Sequence, residues 1–160
     1  MAVGEQPGDQ EDLRGEAFIG SAGQLFDSAL AGLAMNRQRL YVTNAVKHFK
    51  FELRGQRRIH KTAAQQEAAA CLDWLEREIA LVRPRAIVAL GATAARALLG
   101  RPVAVMKERG QWQARGDGIP VLVTLHPSAL LRMPADERAD AEALWRADLA
   151  QALAGQYAPA

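Results

Sequence analysis

The 160 residues are 49% hydrophobic and 24% charged, values that fit one globular domain over 1–160 and exclude wholesale disorder. No run of about 18 apolar residues occurs, so no membrane helix is expected, and Met1 to Glu5 lacks the basic and apolar regions of a secretory signal. The single cysteine, Cys71, excludes an internal disulfide and points to a reducing, cytoplasmic setting. The net charge of +2 hides an asymmetry. Residues 1–16 hold five acids and one base, whereas residues 47–61 hold six bases (Lys47, Lys50, Arg54, Arg57, Arg58, Lys61) and one acid, Glu52. A basic block beside an acidic one suits a polyanionic partner gripped near a carboxylate site.

In chain order, Ala2-Val3 reads as the end of a strand, and Gly4 to Asp9 as a loop punctuated by Gly and Pro. Phe26, Leu30 and Leu33 recur at helical spacing after Gly20-Ser21-Ala22-Gly23. Leu40 to Thr43 is a short buried strand ending at Asn44, and residues 45–62, polar and basic, form a long loop. A helix spans roughly 63–82, with Ala68, Leu72, Leu75, Ile79 and Val82 on one face and Pro84 as its stop. Arg85 to Gly91 is a strand and turn, and Thr93 to Leu99 a helix closed by Gly100. Val103 to Met106 reads as a small strand, Gly110 to Gly118 as a polar hairpin or loop, and Val121 to Leu125 as a strand ended by His126-Pro127. The last helix opens at Pro134 to Asp136 and carries Leu144, Trp145, Leu149 and Leu153 on its apolar face.

This alternation predicts an α/β fold, a three-layer α/β/α sandwich around a mainly parallel four-stranded sheet. Ligands bind at the carboxyl ends of strands in such sheets. Glu5, Asn44 and His126 each follow a strand, so three polar side chains should meet in one pocket.

Five motifs could carry chemistry. Gly4-Glu5-Gln6-Pro7-Gly8-Asp9 offers close backbone approach and carboxylates able to polarise a nucleophile. Thr43-Asn44 supplies a side-chain amide able to read a base edge. Arg57-Arg58-Ile59-His60 joins phosphate-binding guanidinium groups to an imidazole that can act as base or nucleophile. His126 to Arg132 sets a histidine at a strand end before Leu130 and Leu131, which on a loop tip could wedge between bases. Cys71, with His48 nearby in sequence, is two ligands short of a closed metal site.

The order GEQPGDQED, FIGSAG, YVTNAVKHFKF, RRIHK, HPSALLR resembles the uracil-DNA glycosylase superfamily over nearly the whole chain. Within it the chain is most similar to the family-4-like branch called UdgX, which becomes covalently attached to uracil-containing DNA; the RRIH insertion separates that branch from ordinary family-4 enzymes. The resemblance implies a single-turnover glycosylase, a hydrolase of N-glycosyl bonds, acting as a monomer on uracil in DNA, preferably single-stranded. It implies that Gln6 and Asp9 wrap uracil and its sugar, that Phe18 stacks on the flipped base and that Asn44 bonds the uracil edge. It further implies that His126 stabilises the departing uracil and that Leu130, Leu131 and Arg132 fill the gap left by the flipped nucleotide. His60 would attack the exposed sugar carbon, assisted by Glu5, with Arg58 holding the loop closed. His48 and Cys71 correspond to two ligands of the family's 4Fe–4S cluster; the N-terminal cysteine pair is missing, so the chain reads as N-terminally truncated and its cluster as absent or incomplete. The alternatives are an ordinary turnover family-4 enzyme, which shares every motif except RRIH, and a non-catalytic DNA-binding remnant. A generic nucleotide-binding module is disfavoured by the lack of a Gly-x-Gly-x-x-Gly fingerprint or a P-loop.

Overall fold

Residues 87–90 and 120–124 are short apolar runs, and in the computed structural model, which describes residues 1–155, they lie side by side as parallel strands at the heart of a sheet. Among the described residues seven strands form: β1 (Ala2–Gly4), β2 (Val42–Asn44), β3 (Phe51–Arg54), β4 (Arg57–His60), β5 (Ile87–Leu90), β6 (Trp112–Ala114) and β7 (Pro120–Thr124). The main sheet runs β2-β1-β5-β7-β6, its first four strands parallel and β6 antiparallel on β7. The four expected strands are the four parallel ones. The fifth, β6, falls within the stretch read as a polar hairpin or loop. β3 and β4 pair only with each other, as an antiparallel hairpin.

The helices are α1 (Asp9–Arg14), α2 (Ser21–Gly32), α3 (Gln65–Ala70), α4 (Leu72–Val82), α5 (Ala92–Leu99), α6 (Val105–Glu108), α7 (Pro127–Arg132) and α8 (Ala135–Leu153). Successive strand residues point to opposite faces, which divides the core in two. On one face Val3, Ile87, Ala89, Val121 and Val123 pack against Leu75 and Ile79 of α4 and Ala94, Ala95 and Leu98 of α5. On the other, Ala2 and Leu90 pack against Phe26 and Leu30 of α2, Leu130 of α7, and Trp145 and Leu149 of α8. The result is the expected α/β/α arrangement; residues 156–160 of the expected domain lie outside the described residues.

Several local expectations need correction. Residues 105–108 form helix α6 rather than a strand, because the Glu108 side chain folds back to accept from the Ala104 N–H at 2.8 Å and caps a helical turn. The basic stretch 45–62 is not an irregular loop. It contains the hairpin, turned at Gly55, whose φ of +62° suits a residue without Cβ. The helix over 63–82 breaks at Cys71 into α3 and α4, and Leu144 of α8 faces solvent while Trp145, Asp148 and Leu149 face inward.

Candidate active site

The carboxyl ends of β1, β2 and β7 open into a cavity of about 500 Å³. It is lined by Glu5, Gln6, Asp9, Phe18, Asn44, His60, His126 and Arg132 among the expected residues. Glu5 and Gln6 follow β1, Asn44 ends β2 and His126 lies just beyond β7. Gly4 makes room for this convergence: a Cβ there would lie 2.5 Å from Phe18 Cζ and 2.6 Å from Asn44 Oδ1. Phe18 is held at φ 60°, a strained backbone for an aromatic residue. Its ring lies 5.7 Å from the rings of both Phe26 and His126, and Gly23 approaches so closely that a Cβ would collide with the Phe18 carbonyl oxygen. The strain is therefore enforced by packing.

His126 caps α7, with Pro127 as the first helical residue. Its Nδ1 accepts from the Ser128 N–H at 3.2 Å and lies 2.8 Å from Ser128 Oγ, which in turn accepts from Arg132 Nη1 at 3.3 Å. With Nδ1 committed as acceptor, the proton of the neutral ring sits on Nε2. Burial lowers the His126 pKa to about 4, aided by the positive Arg132 and by His60, so the ring is neutral at physiological pH. It is thus a hydrogen-bond donor that carries no charge of its own.

His60 reaches the same cavity from the end of β4. Gln6 Nε2 lies 2.8 Å from His60 Nε2 and donates to the Lys61 carbonyl at 2.9 Å. Donation from Gln6 makes His60 Nε2 the unprotonated, lone-pair nitrogen. Glu5, the expected partner of His60, lines the cavity, but the hydrogen bond to the imidazole comes from Gln6, the next and more deeply buried side chain. Two buried acceptors in the cavity, Gln6 Oε1 and Asn44 Oδ1, have no hydrogen-bond partner among the described residues. Orphaned buried acceptors at a cavity wall are sites for a ligand's N–H groups.

Arg58 clamps the hairpin to α1. Nη1 donates to Asp12 Oδ2 at 2.7 Å, Nη2 lies 2.5 Å from Asp9 Oδ1, and the guanidinium lies 5.3 Å and 5.1 Å from the ring centres of Phe49 and Phe51. The rest of the basic block is largely neutralised as well: Lys47 pairs with Glu78, Lys50 with Glu67, and Arg54 and Lys61 with Glu52. Among the described residues only Arg57 of the block makes no ion pair. The exposed pairs among these, those of Lys50, Arg54 and Lys61, are weak and can exchange a carboxylate for a phosphate at small cost.

Two expectations, for Leu130 and Leu131, are not met in place. Leu130 is fully buried among Phe26, Leu90 and Trp145, because residues 127–132 form α7 rather than a loop, so it cannot wedge between bases. Leu131 is half-buried and lies outside the cavity lining, whereas Arg132 is exposed and lines it. His48 is exposed, and the Cys71 thiol accepts from the Lys47 N–H at 3.4 Å. Among the described residues no group of three His, Cys, Asp or Glu side chains could hold a metal. A 4Fe–4S cluster takes four ligands, so these two residues do not by themselves fit one.

The sequence reading missed Glu11 and Ser128. Glu11 Oε1 accepts from the Gly20 N–H at 2.8 Å and ties α1 to the start of α2, in space left by Gly8 and Gly20. An acid placed opposite two glycines is a recognisable signal only after the fold brings the segments together. Ser128, two residues after the histidine and just inside a helix opened by proline, carries the ordinary mark of a cap partner.

Residues 1–150 match the family model of the uracil DNA glycosylase superfamily. The chain is 38% identical over 142 residues to the type-4 uracil-DNA glycosylase of Pyrobaculum aerophilum, covering 84% of this chain and 69% of that one. It is 37% identical over 136 residues to the type-4 uracil-DNA glycosylase of Thermotoga maritima, covering 84% and 67%, and 32% identical to that of Archaeoglobus fulgidus, covering 82% and 66%. The chain belongs to the uracil DNA glycosylase superfamily.

Proposed function

We propose that this protein excises uracil from DNA and that His60 then captures the resulting sugar as a covalent adduct. The carrying observation is the His60 imidazole at the mouth of the cavity, its Nε2 lone pair held 2.8 Å from Gln6 Nε2. Membership of the superfamily makes the protein a glycosylase, a hydrolase of N-glycosyl bonds. The chemistry of the cavity supports uracil as the base. Uracil N3–H can donate to the orphaned Asn44 Oδ1, and cytosine has an acceptor at that position. Phe18 offers a face for stacking, and the neutral His126 offers Nε2–H to a uracil oxygen as negative charge develops on the leaving base. A neutral donor strengthens with that charge, so it favours the transition state over the ground state.

Breaking the C1′–N1 bond leaves its electron pair on uracil and positive charge on the sugar. In the capture step His60 Nε2 gives its lone pair to C1′, the Gln6 hydrogen bond is released, and the Nδ1 proton passes to water. The product is an N-alkylated imidazole that lacks an easy second displacement, so turnover stops after one event. Arg58, through Asp9 and Asp12, keeps the hairpin close enough for this step. Single-stranded DNA is the preferred substrate because flipping a base from a duplex costs a few kcal/mol. The protein acts as a monomer on this reading, and the one cysteine, free and buried, suits the cytoplasm. No helix among the described residues is long and apolar enough to cross a membrane.

The test is a denaturing gel after incubation with a single-stranded oligonucleotide carrying one uracil. A retarded band that needs uracil and disappears in His60→Ala is expected. Alkali-cleavable DNA without a retarded band would overturn capture and leave an ordinary turnover glycosylase. Neither signal from folded protein would overturn excision as well and favour a DNA-binding remnant.

A further inference from the structure

We propose that Lys47 is a positioning residue that, braced by Glu78, holds Asn44 at the angle needed to select uracil. This inference rests on the proposed role of Asn44. β2 is an edge strand of only three residues, hydrogen-bonded on one side to β1, so among the described residues its far side has no neighbouring strand to fix it. Its last residue, Asn44, carries one of the two orphaned acceptors of the cavity. The Lys47 ammonium closes that far side. It donates to the Asn44 carbonyl at 2.7 Å, to Thr43 Oγ1 at 2.9 Å and to Glu78 Oε2 at 2.7 Å. An ammonium has three donors, and all three are used. Thr43 Oγ1 also donates to Glu78 Oε1 at 3.2 Å, so one carboxylate on α4 grips both the lysine and the strand.

The backbone of the same segment is pinned separately. The Ala45 and Val46 N–H groups donate to the Gly4 and Glu5 carbonyls at 2.9 Å each, and the Lys47 N–H donates to the Cys71 thiol. Asn44 is therefore clamped from both sides: from within the sheet by the loop that carries Glu5 and Gln6, and from outside by Lys47 and α4. The Lys47 and Glu78 side chains are only 20% and 24% exposed, so both partners of this pair are more shielded than those of the Lys50, Arg54 and Lys61 pairs. Lys47 thus belongs to that block by sequence but not by role. With its donors spent internally, it has none to give to a phosphate.

Without the ammonium, the Asn44 carbonyl loses a charged partner and the edge strand is free to tilt. Errors of about 1 Å in placing a substrate-contacting group can cost about 100-fold in rate. A double-mutant cycle between Lys47→Met and Asn44→Ala tests the idea, with the single-turnover rate constant for uracil removal from a single-stranded oligonucleotide as readout and a thermal melt of each protein beside it. Lys47→Met is expected to slow removal about 10- to 100-fold in the parent and less than about 2-fold once Asn44 is alanine. A general loss of fold would slow both backgrounds alike, and equal effects in the two, or no effect in the parent, would overturn the proposal. If Lys47→Met does not fold, Glu78→Gln goes through the same cycle with a smaller slowing expected and the same criterion. A parent protein that neither removes nor captures uracil would sink the functional reading together with this inference; normal removal by the parent with an additive cycle sinks this inference alone.

Discussion

Acidification should weaken this protein through His126. The folded state holds the ring neutral down to about pH 4, whereas an exposed histidine takes up its proton near 6.5. Between those values the unfolded chain binds more protons than the folded one, so this contribution is fully present above the interval and is lost as the pH falls through it. The whole shift corresponds to about 3 kcal/mol, of which about 2 kcal/mol is lost between about pH 7.5 and about pH 5. The cause is burial, with the ring 5.7 Å from the Phe18 ring; an added proton on Nδ1 would also displace the bond from the Ser128 N–H and set a positive charge near Arg132. Urea unfolding of the parent and of His126→Gln at both pH values isolates the effect, since other titrating groups are common to the two. The parent should lose about 2 kcal/mol more than the variant on acidification. Parallel losses, or a ring of His126 that titrates near 6.5 by NMR, would refute the reasoning.

Leu130→Ala should cost about 2–5 kcal/mol in stability because it opens a void in the core. Leu131→Ala, at a half-buried surface position, should cost under about 1 kcal/mol by denaturant unfolding. Gly4→Ala should cut uracil removal by at least about 100-fold while the protein still folds, since the new methyl group meets Phe18 and Asn44 together; a single-turnover assay with a circular dichroism check reads this. Arg58→Ala should leave the melting temperature nearly unchanged but raise amide hydrogen exchange at residues 57–60, where the clamp to Asp9 and Asp12 is lost. On the proposed capture chemistry, adduct yield should fall with it.

The parallel core of the sheet and the convergence of three strand ends could be read from sequence because both rest on runs of apolar residues each followed by one polar side chain. β5 and β7 are short, apolar and flanked by Gly or Pro, and Asn44 and His126 stand at strand exits. What escaped reading lacks that contrast. α1 buries no residue and has no apolar stripe; it is fixed by Arg58 and Glu11 instead. β6 is three residues long with a glutamine at its centre. The hairpin is disguised by charges whose partners lie elsewhere in the chain, such as Asp9 and Asp12 for Arg58. For α7 the signal was present, a proline directly after a residue able to cap, but two adjacent leucines read equally well as a loop tip. The pairing of Gln6 with His60 joins residues 54 positions apart and has no local trace in the sequence.

The hairpin of β3 and β4 shares no ladder with the main sheet. The groups proposed to read the base stand at the exits of main-sheet strands (Asn44 and His126) and in the turn before α2 (Phe18), while the proposed nucleophile rides on a separate ribbon fastened by side chains. On that reading, recognition and capture are separable modules. A ribbon of this kind can be trimmed, lengthened or grafted onto a related sheet without disturbing the strand ends. An irreversible trap and a recycling enzyme would then differ by one short insertion rather than by a rebuilt active site.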